Sequence, residues 1–144
     1  VLQDKIMMEE SKKVLNMLGV DIPLEIKVES LSGGQRQAVA VARALYFAKK
    51  LLLLDEPTAN LNLVEALEVI DIIRSFVTKH NAGAIFVTHN MIHAFAAADR
   101  IYFIDRGQIL FEKQKKELSS PDELAMTIER IVEERERREG KVVG

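Results

Sequence analysis

The chain has 144 residues, enough for one domain, and a compact chain of that size buries roughly 68–70% of its unfolded surface. Lys and Arg total 20 against 22 Asp and Glu, which argues against direct binding to nucleic acid or to an anionic membrane surface. The absence of cysteine excludes disulfides and thiolate metal sites and suits a reducing compartment, and no apolar run approaches the ~20 residues that cross a bilayer.

The chain opens at Val1 inside a polar helical pattern, which leads us to expect that other sequence precedes it. Ile6, Met7, Val14, Leu15 and Leu18 give a helical stripe that stops at Gly19, and Asp21-Ile22-Pro23 breaks the pattern. A second helix should follow Ser32, because Ser32 and Gln35 have capping-box spacing and Ala38, Val39, Ala42 and Leu45 recur at helical intervals. Leu51 to Leu54 is a continuous apolar run, as expected of a parallel strand covered on both faces.

Asn62, with Glu65 three residues on, should cap a third helix whose buried stripe is Leu63, Leu67, Ile70, Ile73 and Val77. Ala84 to Thr88 reads as a second buried strand, and strand, helix, strand makes a right-handed βαβ unit. Residues Ile101 to Phe111 form a hairpin pattern turning at Gly107. A last helix should start with Ser120 as its cap, Pro121 at its first position and Glu123 completing a capping box, with Leu124, Ile128, Ile131 and Val132 on its apolar face, and the charged run from Glu133 reads as a solvated extension.

In open parallel sheets, ligands gather beyond the carboxyl ends of the strands. Asp55-Glu56 follows one strand and Thr88-His89 the other, so these acids and His89 are expected on one rim. An Asp there suits Mg²⁺, a hard cation that takes oxygen ligands and keeps several waters, while Glu56 points elsewhere and is free to polarise a water. Ser32-Gly33-Gly34-Gln35 starts a helix, whose N-terminus offers unpaired N–H donors and a positive dipole to a phosphate. His89 and His93, four apart, have no evident third zinc ligand, and we set zinc aside. The seven glycines nowhere give Gly-x-x-x-x-Gly-Lys-Ser/Thr, the loop that cradles nucleotide phosphates.

Together these residues resemble the ATP-binding cassette (ABC) ATPases. Leu31-Ser32-Gly33-Gly34-Gln35 matches the family signature, Leu51 to Glu56 its Walker B strand, Ala59-Asn60-Leu61-Asn62 its D-loop and His89 its switch histidine. The D-loop commonly ends in Asp, whereas Asn62 stands here. The resemblance implies an α/β fold: a partial P-loop NTPase-type parallel sheet with flanking helices, lacking the P-loop strand. It divides the chain into the end of a helical subdomain (1–50), a Walker B, D-loop and H-loop core (51–112) and a C-terminal helix (113–144).

By the same resemblance the cofactors are ATP and Mg²⁺. Asp55 serves the metal, Glu56 is the general base and His89 contacts the γ-phosphate. Ser32, Gly33, Gly34 and Gln35 contact ATP held by the opposite subunit of a head-to-tail dimer. The implied partners are a second ATPase subunit and a transmembrane permease, with no direct nucleic acid. The implied location is cytoplasmic, peripheral on the membrane's inner face and touching it only through the permease.

The stretches Gly33 to Ala44 and His89 to Phe95 look like those of simple-sugar importers. The chain alone is expected to be inactive, and to self-associate or need its missing lobe. Two alternatives stay open. One is the C-terminal lobe of a DNA-repair or chromosome-maintenance ABC ATPase, although sustained apolar heptads should then lead into Leu31. The other is a non-enzymatic interaction module.

Overall fold

The structure is a computed structural model that describes residues 2–17, 19–48 and 50–140. The chain forms two compact units, one reaching Thr88 and one starting at His89. None of the helices among the described residues is long and apolar enough to cross a membrane.

The first unit opens with α1 (Leu2–Met17). Gly19, at φ 64°, ends it: its N–H donates to the Asn16 carbonyl and that of Val20 to Leu15, both at 3.0 Å, the paired bonds of a left-handed helix stop. Of the expected stripe, Leu15 is buried and Val14 half-buried, Ile6 and Met7 are exposed, and Leu18 lies outside the described residues.

Helix α2 (Gly33–Phe47) buries Ala38, Val41, Ala42 and Leu45. Strand β1 (Leu51–Asp55) runs parallel to β2 (Gly83–Val87), with Leu53 opposite Ile85 and Asp55 opposite Val87. Between them α3 (Leu63–His80) ends at Asn81 in the left-handed region, φ 48°. Its buried stripe is Ala66, Val69, Ile70 and Ile73, rotated from the expected one because Leu63 and Leu67 are exposed. Leu15, Ile22, Leu31, Val41, Leu45, Leu52 and Leu54 share this unit's core with Val69 and Ile73.

The expectation that the leucine strand is covered on both faces is corrected. Leu52 and Leu54 are 2% and 6% exposed, but Leu51 and Leu53 are 54% and 70% exposed. Side chains alternate along a strand, so a sheet with its helices on one side buries only every second leucine. Ile85 and Val87 are exposed as well.

The second unit holds α4 (Met91–Ala97), the antiparallel hairpin β3 (Arg100–Asp105) and β4 (Gln108–Gln114), and α5 (Pro121–Gly140). The hairpin turns on Arg106 and Gly107, both at positive φ, the backbone sense that matches strand twist in a tight hairpin. Ile101 and Phe111 pack with Leu118, Leu124 and Ile128.

Ser120 Oγ accepts from the Glu123 N–H at 3.1 Å, as the cap spacing predicts, while the Glu123 carboxylate turns back to the N–H and hydroxyl of Ser119. These two bonds, hydroxyl first, hold its carboxyl below the ordinary range. The charged tail is more than a solvated extension: Arg135 Nη1 donates to Asp105 Oδ2 at 2.9 Å and its Nε to Glu139, which also pairs with Arg106. The tail is thereby fastened to the hairpin turn.

Candidate functional site

Because β1 and β2 are parallel and in register, their carboxyl ends lie side by side. Asp55 is the last residue of β1 and is exposed. The Glu56 N–H donates to the Val87 carbonyl at 2.9 Å, which carries the pairing one residue past the strand. The backbone then swings to φ 47° at Glu56, an unfavourable conformation for a residue with a Cβ, worth about 1–3 kcal/mol.

Hydrogen bonds hold the swing in place. The Glu56 carbonyl accepts from the Ala59 N–H at 3.1 Å and from Gln37 Nε2 of α2 at 3.5 Å. Its carboxylate oxygen Oε2 accepts from the Thr88 hydroxyl at 3.4 Å. The half-buried Glu56 is therefore tied at its amide, carbonyl and carboxylate, with the end of β2 supplying the first and last ties.

Pro57 and Thr58 are buried, Thr58 at 2% exposure. Ala59 is half-buried, and Asn60 is exposed at φ 61°. Leu61 closes the turn, its N–H donating to the Thr58 carbonyl at 3.4 Å. Asn62 caps α3: its Oδ1 accepts from the Glu65 N–H at 3.0 Å, and the Glu65 carboxylate accepts from the Asn62 N–H at 3.1 Å.

The same reciprocal arrangement starts α2. Ser32 Oγ accepts from the Gln35 N–H at 3.2 Å, and Gln35 Oε1 accepts from the Ser32 N–H at 3.0 Å. A side chain built on Gly33 would meet nothing within 4 Å, so the helix start is open to an approaching anion on that side. Gly34 is different, since a Cβ there would come to 3.3 Å of Leu61 Cδ2. Gly34 thus lets the α2 start lie against the loop that follows Glu56.

Among the expected site residues, the first unit brings Ser32 to Gln35, Asp55, Glu56 and Ala59 to Asn62 into one connected neighbourhood. His89 follows Thr88 in sequence, opens the second unit and is exposed. The next residue, Asn90, caps α4 by accepting from the N–H groups of Ile92 and His93, and His93 is buried at 7% exposure. That burial fits a role for His93 in packing.

No three or more His, Cys, Asp or Glu side chains cluster to hold a metal among the described residues. Asp55 by itself suits Mg²⁺, which is commonly held by one or two carboxylates, waters and the substrate's phosphates. Gln37 and Thr88 were missed as site residues. Thr88 carried a signal, a hydroxyl at a strand end beside two acids, whereas Gln37 depends on how α2 packs.

Residues 2–59 match the family model described as ABC transporter. The chain is 55% identical over 117 residues to the xylose/arabinose import ATP-binding protein XylG of Sulfolobus acidocaldarius, covering 81% of this chain and 46% of that protein. It is 42% identical over 98 residues to the fructose import ATP-binding protein FrcA of Rhizobium meliloti, covering 68% of this chain and 37% of the relative. The chain thus spans about half the length, or less, of these curated relatives.

The solved ATP-binding cassette of an ABC transporter in its ADP conformation superposes with a TM-score of 0.68 at 27% identity, over 85% of this chain and 50% of that one. The fold is also that of cbiO1 from Clostridium perfringens, with a TM-score of 0.69 at 24% identity over 97% of this chain and 54% of that one. Fold, motif order and these similarities agree: the chain belongs to the ABC transporter family.

Proposed function

We propose that this sequence supplies the signature, D-loop and catalytic carboxylate of an importer's ATP-hydrolysing subunit, working as a dimer beneath a transmembrane permease. The observation that carries the reading is Glu56, fixed at its amide, carbonyl and carboxylate on the rim of a parallel sheet. A base held in this way needs little rearrangement before it acts.

In the reaction Glu56 accepts a proton from water as the water oxygen bonds to the γ-phosphorus and the bond to the β–γ bridging oxygen breaks, releasing ADP and phosphate. Bound Mg²⁺ supplies charge neutralisation for the phosphates, and Asp55 is the residue that would hold it. His89 steadies the γ-phosphate. Ser32, Gly33, Gly34 and Gln35 offer the open start of α2 to nucleotide held by the second subunit, and Ala59 to Asn62 line the same interface.

Similarity to xylose/arabinose and fructose import proteins supports a simple sugar as the cargo. On this reading the subunit works at the cytoplasmic face of the membrane, and the 144-residue chain by itself does not turn over ATP.

The test joins this sequence to the N-terminal half of a relative and measures Mg²⁺-dependent ATP hydrolysis. Glu56→Gln should lower kcat by at least ~100-fold, the scale of a lost general base, while ATP still binds. Hydrolysis unchanged in that variant rejects Glu56 as the base.

A further inference from the structure

Resting on the proposed role of Glu56, we infer that Thr88 is a positioning residue for the catalytic carboxylate. The Thr88 hydroxyl donates to Glu56 Oε2 at 3.4 Å, and the residue before it, Val87, accepts from the Glu56 N–H at 2.9 Å. Two consecutive residues at the end of β2 therefore hold both the backbone and the head group of Glu56.

The backbone tie alone cannot do this. With φ at 47° the start of the Glu56 side chain is set, but its remaining torsions are free to carry the carboxylate through several rotamers. A hydroxyl on the neighbouring strand selects one. Threonine suits the task because branching at Cβ stiffens χ1, so the strand backbone largely dictates where the hydroxyl sits. Serine keeps the donor but not the stiffness, and valine keeps the shape but not the donor. A hydrogen bond as long as this has room to tighten in the complex with substrate.

The experiment uses a full-length cassette carrying this sequence and follows ATP hydrolysis against MgATP concentration. Thr88→Val should lower kcat about 10- to 100-fold, the worth of a hydrogen bond to a charged group, with KM for ATP within about twofold. Thr88→Ser should keep at least roughly a third of the parent kcat, since the donor to the charged group is retained. Thr88→Ala, a second variant without the hydroxyl, should match Thr88→Val.

In a Glu56→Gln background, Thr88→Val should cause no further loss, because the group it positions is gone. An unchanged kcat in Thr88→Val overturns the inference, as does an equal loss in Thr88→Ser or a full additional loss on top of Glu56→Gln. Full activity of Glu56→Gln alone would instead reject the proposed base. An inactive Glu56→Gln with a fully active Thr88→Val rejects only the role of Thr88.

Discussion

Four consecutive leucines in β1 meet two different fates. Leu52 and Leu54 lie in the core against α2 and α3 residues, while Leu51 and Leu53 stand in solvent with Ile85 and Val87. All four are the same residue in the same strand, so the difference comes only from which side of the sheet the chain's own helices cover. Burial is a property of the surrounding chain, and an apolar run states a capacity for it.

The contrast breaks most easily by truncation. Leu52→Ala should cost about 2–5 kcal/mol in denaturant melts, as deletion from a packed core does, whereas Leu53→Ala in the 144-residue chain should stay within about 0.5 kcal/mol. Equal losses would remove the distinction between the faces. In a longer protein that covers the open face, the Leu53→Ala loss should rise toward that of Leu52→Ala. The open face should also make the isolated chain self-associate, and Leu53→Glu should raise the monomer fraction in light scattering.

Smaller effects sharpen the comparison where hydrogen bonds, not burial, set the energy. Ser32→Ala and Asn62→Ala should each cost about 1 kcal/mol through a lost helix cap. The open α2 start, which is proposed to meet the nucleotide itself, should lose more ATP hydrolysis in a full-length cassette than the cap at Asn62 on the same interface, and a loss of similar size from both variants would erase that difference.

The smallest effect lies in the tail. Arg135, then Arg106, hold the Glu139 carboxyl below its ordinary 4.5. A depressed carboxyl contributes stability that is present above the unfolded value and lost as pH falls through the folded one. Protection factors for amide exchange in residues 133–140 should therefore fall as pH drops below about 4.5, with those of the β1 core unaffected.

The sequence was most legible where local chemistry decides structure. The capping boxes at Ser32 and Asn62, the Gly19 stop and the turn at Gly107 follow from residues close together in the chain, and all were readable as patterns; the part of Arg106 in that turn was not. The buried stripe of α3 was read a fraction of a turn away, because Leu63 and Leu67 are apolar residues left outside the core and Ala66 is a small one inside it. Of the site, the acids at the end of β1 and the glycines of α2 were legible. The ties from Gln37 and Thr88 to Glu56 span 19 and 32 positions and exist only once the elements pack.

Both helix starts near Glu56 are capped by neutral side chains, a hydroxyl at Ser32 and an amide at Asn62. An aspartate in the second place would surrender its negative charge on acidification and weaken its grip on α3. With Asn62 there, the acceptor for the Glu65 N–H carries no charge to lose, so this half of the cap on the second helix is the same at every pH the protein meets.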